Sequence, residues 1–130
     1  PTADAASQLE VKMKGVAISG KKLLIIIGAN WCHDSAALAN MLDSGRFVGM
    51  ITQNYEVLFV DVGTPQTGRG RNLEIARRFG VKKIKGTPTV LVVSPKGKLL
   101  NSKKDAASWR NAASRAEDAV YRYFAEFTPA

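Results

Sequence analysis

Five consecutive apolar residues, Leu23-Leu24-Ile25-Ile26-Ile27, constrain the fold more than any other feature of this chain. A strand made of such a run is apolar on both faces, so it belongs in the middle of a sheet covered on both sides. The rest of the sequence supplies the covering layers. Leu9, Met13, Val16 and Ala17 fall at i, i+4, i+7 and i+8, the spacing of an amphipathic helix. Ser19-Gly20-Lys21-Lys22 ends that pattern before the apolar run begins.

After the run, a helix is predicted from about Cys32, with Leu38, Met41 and Leu42 on one face. Asp43-Ser44-Gly45 interrupts it, and Phe47, Val48, Met50 and Ile51 suggest a short continuation. Val57-Leu58-Phe59-Val60 is the next strand, and residues 63–70 read as a loop rich in Gly, Thr and Pro. Leu73, Ala76 and Phe79 mark a further helix, closed by Gly80 as the residue just past its end. Thr89–Val93 is a strand, Ser94-Pro95-Lys96-Gly97 a tight turn, and Lys98-Leu99-Leu100 its antiparallel return. A last helix is predicted from about Asp105, with Trp109, Ala113, Ala116, Val120, Tyr123 and Phe127 as its buried stripe. The order α-β-α-β-α-β-β-α implies an α/β domain, a mixed sheet with helices on both faces. At 130 residues, with no repeat or linker, one domain spanning 1–130 is expected.

Composition narrows the chemistry. The single cysteine, Cys32, excludes an internal disulfide and a four-cysteine zinc site, and one histidine makes other zinc sites implausible. No apolar stretch approaches the ~20 residues of a membrane span. Residues 1–65 carry five basic and six acidic side chains, whereas residues 66–130 carry fourteen and five. A basic half attracts acidic partners. The charges are scattered without interleaved aromatics, so they read as solvated surface and no nucleic-acid partner is expected. Gly68-Arg69-Gly70-Arg71 is too short for an RNA-binding tract, and no Gly-Lys-Ser/Thr closes a phosphate loop in this region. The chain begins at Pro1, and its polar opening would suit an exported, periplasmic protein, with a cytoplasmic setting as the alternative.

The candidate site is Trp31-Cys32-His33-Asp34-Ser35, at the predicted passage from the apolar strand into a helix. Unpaired amides and the positive end of the helix dipole favour a thiolate at such a place. Gly86-Thr87-Pro88-Thr89 opens the later strand, about fifty-five residues on. These residues, with the element order, resemble the thioredoxin superfamily over roughly residues 8–127. The likeness is nearest to its periplasmic thioredoxin-like and disulfide-isomerase-like members.

The resemblance implies a thioredoxin fold with Cys32 as the nucleophilic, partly exposed thiol. A buried, inert thiol is the plain alternative. His33, when protonated, would favour the thiolate; Asp34 opposes it but could pair with His33. Either residue also has an ordinary place in a first helical turn. Ser35 stands where dithiol members carry the resolving cysteine. It cannot release a mixed disulfide, although its hydroxyl can donate to the Cys32 sulfur. The chain is therefore either a natural monothiol member or an engineered Cys-to-Ser trapping variant, and the natural reading is favoured. Ile26 occupies the position of the buried acid of thioredoxins proper, which fits departure from the dithiol cycle. Pro88 matches the family's cis-proline, a minority state that only the family likeness predicts. The Thr87 backbone would then pair with an extended substrate peptide, with Trp31 roofing the site. Arg69, Arg71 and Lys85 are placed by the resemblance near the same rim.

The leading expectation is thiol–disulfide exchange on protein disulfides or thiols through one cysteine, as an isomerase or monothiol reductase. No bound cofactor is expected, glutathione being a candidate external thiol, and a monomer is expected. A non-catalytic binding module of the same fold is the second reading. The third, an iron–sulfur cluster shared with glutathione, is weakened because His33-Asp34 departs from the Cys-Gly-Phe-Ser loop of monothiol glutaredoxins.

Overall fold

The computed structural model describes residues 4–29, 32–64 and 69–128. The apolar run lies in β1 (Lys22–Gly28), the middle strand of a three-stranded sheet. β2 (Tyr55–Asp61) lies parallel on one side, Lys22 opposite Tyr55 and Gly28 opposite Asp61. β5 (Thr89–Val93) lies antiparallel on the other, Ile27 opposite Thr89 and Leu23 opposite Val93. Between β2 and β5 in the chain, β3 (Gly63–Thr64) and β4 (Arg69–Gly70) form a small antiparallel hairpin where a plain loop was expected.

Alternation along β1 divides the core in two. Leu23, Ile25 and Ile27 join Leu9 and Val16 of α1 (Ala5–Ser19) and Ile75 and Ala76 of α4 (Leu73–Arg78). Leu24 and Ile26 face Leu38 and Leu42 of α2 (His33–Leu42) and Phe47 and Ile51 of α3 (Gly45–Asn54). All five residues of the run are no more than 1 % exposed, as a doubly covered strand requires. Burial of this kind contributes about 25 cal/mol per Å² of apolar surface, which makes β1 the anchor of both layers. In α1 the predicted stripe is narrower than expected: Leu9 and Val16 are buried, Met13 packs partly, and Ala17 is exposed.

Two expectations in the C-terminal half are corrected. The return strand at Lys98-Leu99-Leu100 shrinks to one bridge, Val93 to Leu99. Just beyond it the Asn101 side chain replaces a strand backbone: its oxygen accepts from Val92 N at 2.9 Å and its amide donates to Val90 O at 2.9 Å. The last helix is three segments, α5 (Lys103–Ala107), a 3-10 helix (Ser108–Ser114) and α6 (Glu117–Ala125). Asn111 leaves helical geometry inside the 3-10 segment and Arg115 is extended. The Arg115 guanidinium donates to Ser108 O and Oγ at 2.8 Å, holding the break closed. The single stripe therefore does not persist. Trp109, Ala112, Val120 and Phe124 are buried, whereas Ala113 and Ala116 are exposed.

Candidate functional site

β1 ends at Gly28, where the chain must pass from strand to helix in a few residues. Gly28 O accepts from Val62 N at 3.0 Å, and Ala29 O accepts from Cys32 N at 3.0 Å, closing a turn. Cys32 is the N-cap of α2, with extended backbone, and its carbonyl accepts the first helical bond from Ala36 N at 3.1 Å. The absence of a side chain at Gly28 is needed here. A Cβ would stand 2.7 Å from Ser35 Oγ and 3.0 Å from the Phe59 ring.

Cys32 is 9 % exposed, more enclosed than the partly exposed thiol expected. Its Sγ lies 3.4 Å from Thr87 O, to which the thiol donates. Thr87 and Pro88 are buried at the entry to β5, the bond between them is cis, and Thr89 Oγ1 donates to Gly86 O at 3.0 Å across the turn. The two predicted segments thus meet across the sulfur. Desolvation pushes the Cys32 pKa up. Hydrogen bonds from the Ser35 and Thr87 side chains and from the Ser35 and Asp34 backbone outweigh it, and the net shift is downward.

Ser35 is wholly buried. Besides its contact with the sulfur, its Oγ accepts from Ala29 N at 3.3 Å. This second partner was invisible in the sequence, where only the one-turn spacing to Cys32 could be read. Ile26 is buried within the apolar cluster, so no acid lies behind the site at that position. His33, next to Cys32 in the chain, is exposed. Asp34 is half-buried. Its Oδ1 accepts from Ala113 N at 2.8 Å, tying the first turn of α2 to the 3-10 segment.

Trp31 and the Arg69 side chain lie outside the described residues. Arg71 sits after the hairpin, 3.6 Å from Asp61 Oδ2. Lys85 is exposed two residues before Thr87. Among the described residues no three His, Cys, Asp or Glu side chains gather as a metal site. No helix among them is long and apolar enough to cross a membrane.

A family model described as thioredoxin-like matches residues 4–95. No curated protein sequence matches the chain. Among solved structures, a disulphide isomerase from Xylella fastidiosa Temecula1 is similar at 31 % identity and a TM-score of 0.84. That match covers 95 % of this chain and 91 % of that one. A thioredoxin variant from Halobacterium salinarum NRC-1 is similar at 17 % identity and a TM-score of 0.54, covering 92 % of this chain and 86 % of that one, which supports the fold alone. A strand-to-helix turn that ends in one capped cysteine, the Thr87-Pro88 segment laid across its sulfur, and these matches together place the chain in the thioredoxin-like family.

Proposed function

We propose that the protein carries out thiol–disulfide exchange on protein substrates through Cys32 alone, as an isomerase or monothiol reductase. The observation that carries this reading is the setting of the sulfur. Cys32 stands at the N-cap of α2, its sulfur lies against the Thr87 carbonyl and its pKa is lowered. Likeness to a disulphide isomerase at 31 % identity supports the same chemistry.

The Cys32 thiolate attacks one sulfur of a substrate disulfide. A Cys32–substrate S–S bond forms, the substrate S–S bond breaks, and the departing thiolate takes a proton from solvent. Ser35 stabilises the attacking sulfur but supplies no second thiol. Release therefore comes from outside the chain. A second substrate cysteine resolves the mixed disulfide with no net change in oxidation, which is isomerisation. Glutathione resolves it with a thiol, and two such thiols reduce the disulfide overall. Thr87 offers backbone to an extended substrate segment, and Trp31 and His33 flank the sulfur in sequence. An oxidising, periplasmic compartment suits this chemistry.

The test is to mix the protein with a disulfide-bonded protein, quench with acid and identify adducts by mass spectrometry. A mixed disulfide on Cys32, absent from Cys32→Ser, is expected. No adduct under conditions where a small-molecule disulfide labels denatured protein would favour a non-catalytic binding module instead.

A further inference from the structure

The loop after α4 and the start of α5 face each other across an open groove of about 700 Å³. One wall carries Lys82, Lys83 and Lys85; the other carries Lys103, Lys104 and Arg110. Among the described residues no acidic side chain lines it. None of the six cations enters an ion pair among the described residues. Asp105, the acid of α5, acts on Arg115 and Tyr123. Six converging like charges raise the local potential and repel one another, and an anionic occupant relieves both effects. Gly80 and Gly86 let the Lys103 and Arg110 side chains lie close over the backbone. A Cβ on Gly80 would stand 2.8 Å from Lys103 Cε, and one on Gly86 3.1 Å from Arg110 Cδ.

The groove adjoins the Thr87 segment along the chain at Lys85 and through Arg110. Lys85 leads through Gly86 to Thr87, whose carbonyl meets the Cys32 sulfur. Arg110 lies against Gly86, in the 3-10 segment that Asp34 ties to α2. Among the described residues no aromatic side chain lines the groove, which argues against base stacking by a nucleic acid.

We propose that this groove holds an acidic polypeptide segment, so that substrates are selected by acidic residues flanking the reacting cystine. The selection of disulfide substrates rests on the exchange reading above, whereas the binding itself does not. Binding is therefore measured on the Cys32→Ser protein, by fluorescence anisotropy of a labelled glutamate-rich peptide and its glutamine counterpart. The glutamate peptide is expected to bind about tenfold tighter or better. The preference shrinks with added salt and disappears in Lys83→Gln/Lys103→Gln/Lys104→Gln. Those lysines are exposed, so the fold survives, checked by circular dichroism. Equal affinity for the two peptides, or tighter binding of a deoxythymidine oligonucleotide or a phosphatidylglycerol vesicle, overturns the proposal. Glutamate preference without any trapping of wild-type Cys32 sustains the groove and refutes the exchange reading. Trapping without preference does the reverse.

Discussion

Replacing Ser35 by Ala separates what this hydroxyl does for the fold from what it does for the sulfur. Ala29 and Ser35 are both wholly buried, and Ser35 Oγ accepts the Ala29 amide at 3.3 Å. Removing the acceptor leaves a buried donor unsatisfied, which costs about 1–3 kcal/mol. For a chain of this size that is a Tm drop of about 4 °C per kcal/mol, or about 4–12 °C. The bond is long for an N–H···O contact, so the lower end is expected. The same change removes a donor to the Cys32 thiolate, so the cysteine pKa moves upward. Thermal melts followed by circular dichroism give the first quantity, and the pH dependence of iodoacetamide alkylation gives the second. A variant that melts with wild type and alkylates with an unchanged or lower pKa would refute the assignment of Ser35 to both roles.

Other consequences are equally direct. Gly28→Ala brings a methyl within 2.7 Å of Ser35 Oγ, an overpacking that costs about 1–3 kcal/mol by denaturant titration and slows Cys32 alkylation. Trp109→Ala removes a wholly buried indole stacked on Phe124, and a loss of about 3–5 kcal/mol is expected in the same titration. Asn101→Leu strips the partners of Val92 N and Val90 O, and the Val92 amide should exchange with deuterium faster while the amides of β1 change less. The lowered Cys32 pKa is also a stability statement. It stabilises the fold above the unfolded thiol value of ~8.5, and that contribution disappears as pH falls through the folded value. The stability advantage of wild type over Cys32→Ala should therefore grow on going from neutral to alkaline pH, and a flat difference would contradict it.

Where local sequence and tertiary packing agree, the structure was readable in advance. The run at Leu23–Ile27 became the centre of the sheet because nothing but burial on both faces accommodates it. Thr89–Val93 was legible for the same reason, and Gly80 as a helix end because its φ of 91° suits glycine. The three-part C-terminus was not legible. Its apolar spacing is continuous with a helix, and the break depends on side chains, Arg115 reaching back to Ser108, that periodicity does not weigh. The shortening of the return strand has a similar origin, the Asn101 side chain pairing with β5 where strand backbone was expected.

At the site, the meeting of Cys32 with Thr87 was foreseeable through family likeness alone, since the two lie far apart in the chain. The tie made by Asp34 was not legible because its partner, the Ala113 amide, is supplied by a distant segment. The basic groove was hidden for the same reason. Its two walls come from stretches of chain that each look like ordinary solvated surface.

Exchange chemistry requires Cys32 to be a poised nucleophile. The most direct measurement is its rate of alkylation by iodoacetamide across pH in the native protein, beside the denatured protein as reference. A native midpoint clearly below ~8.5, with a faster rate than denatured protein near neutrality, is the predicted result. A native midpoint at or above that value, or a thiol that alkylates only after unfolding, would contradict the account and leave the fold as a scaffold without redox chemistry.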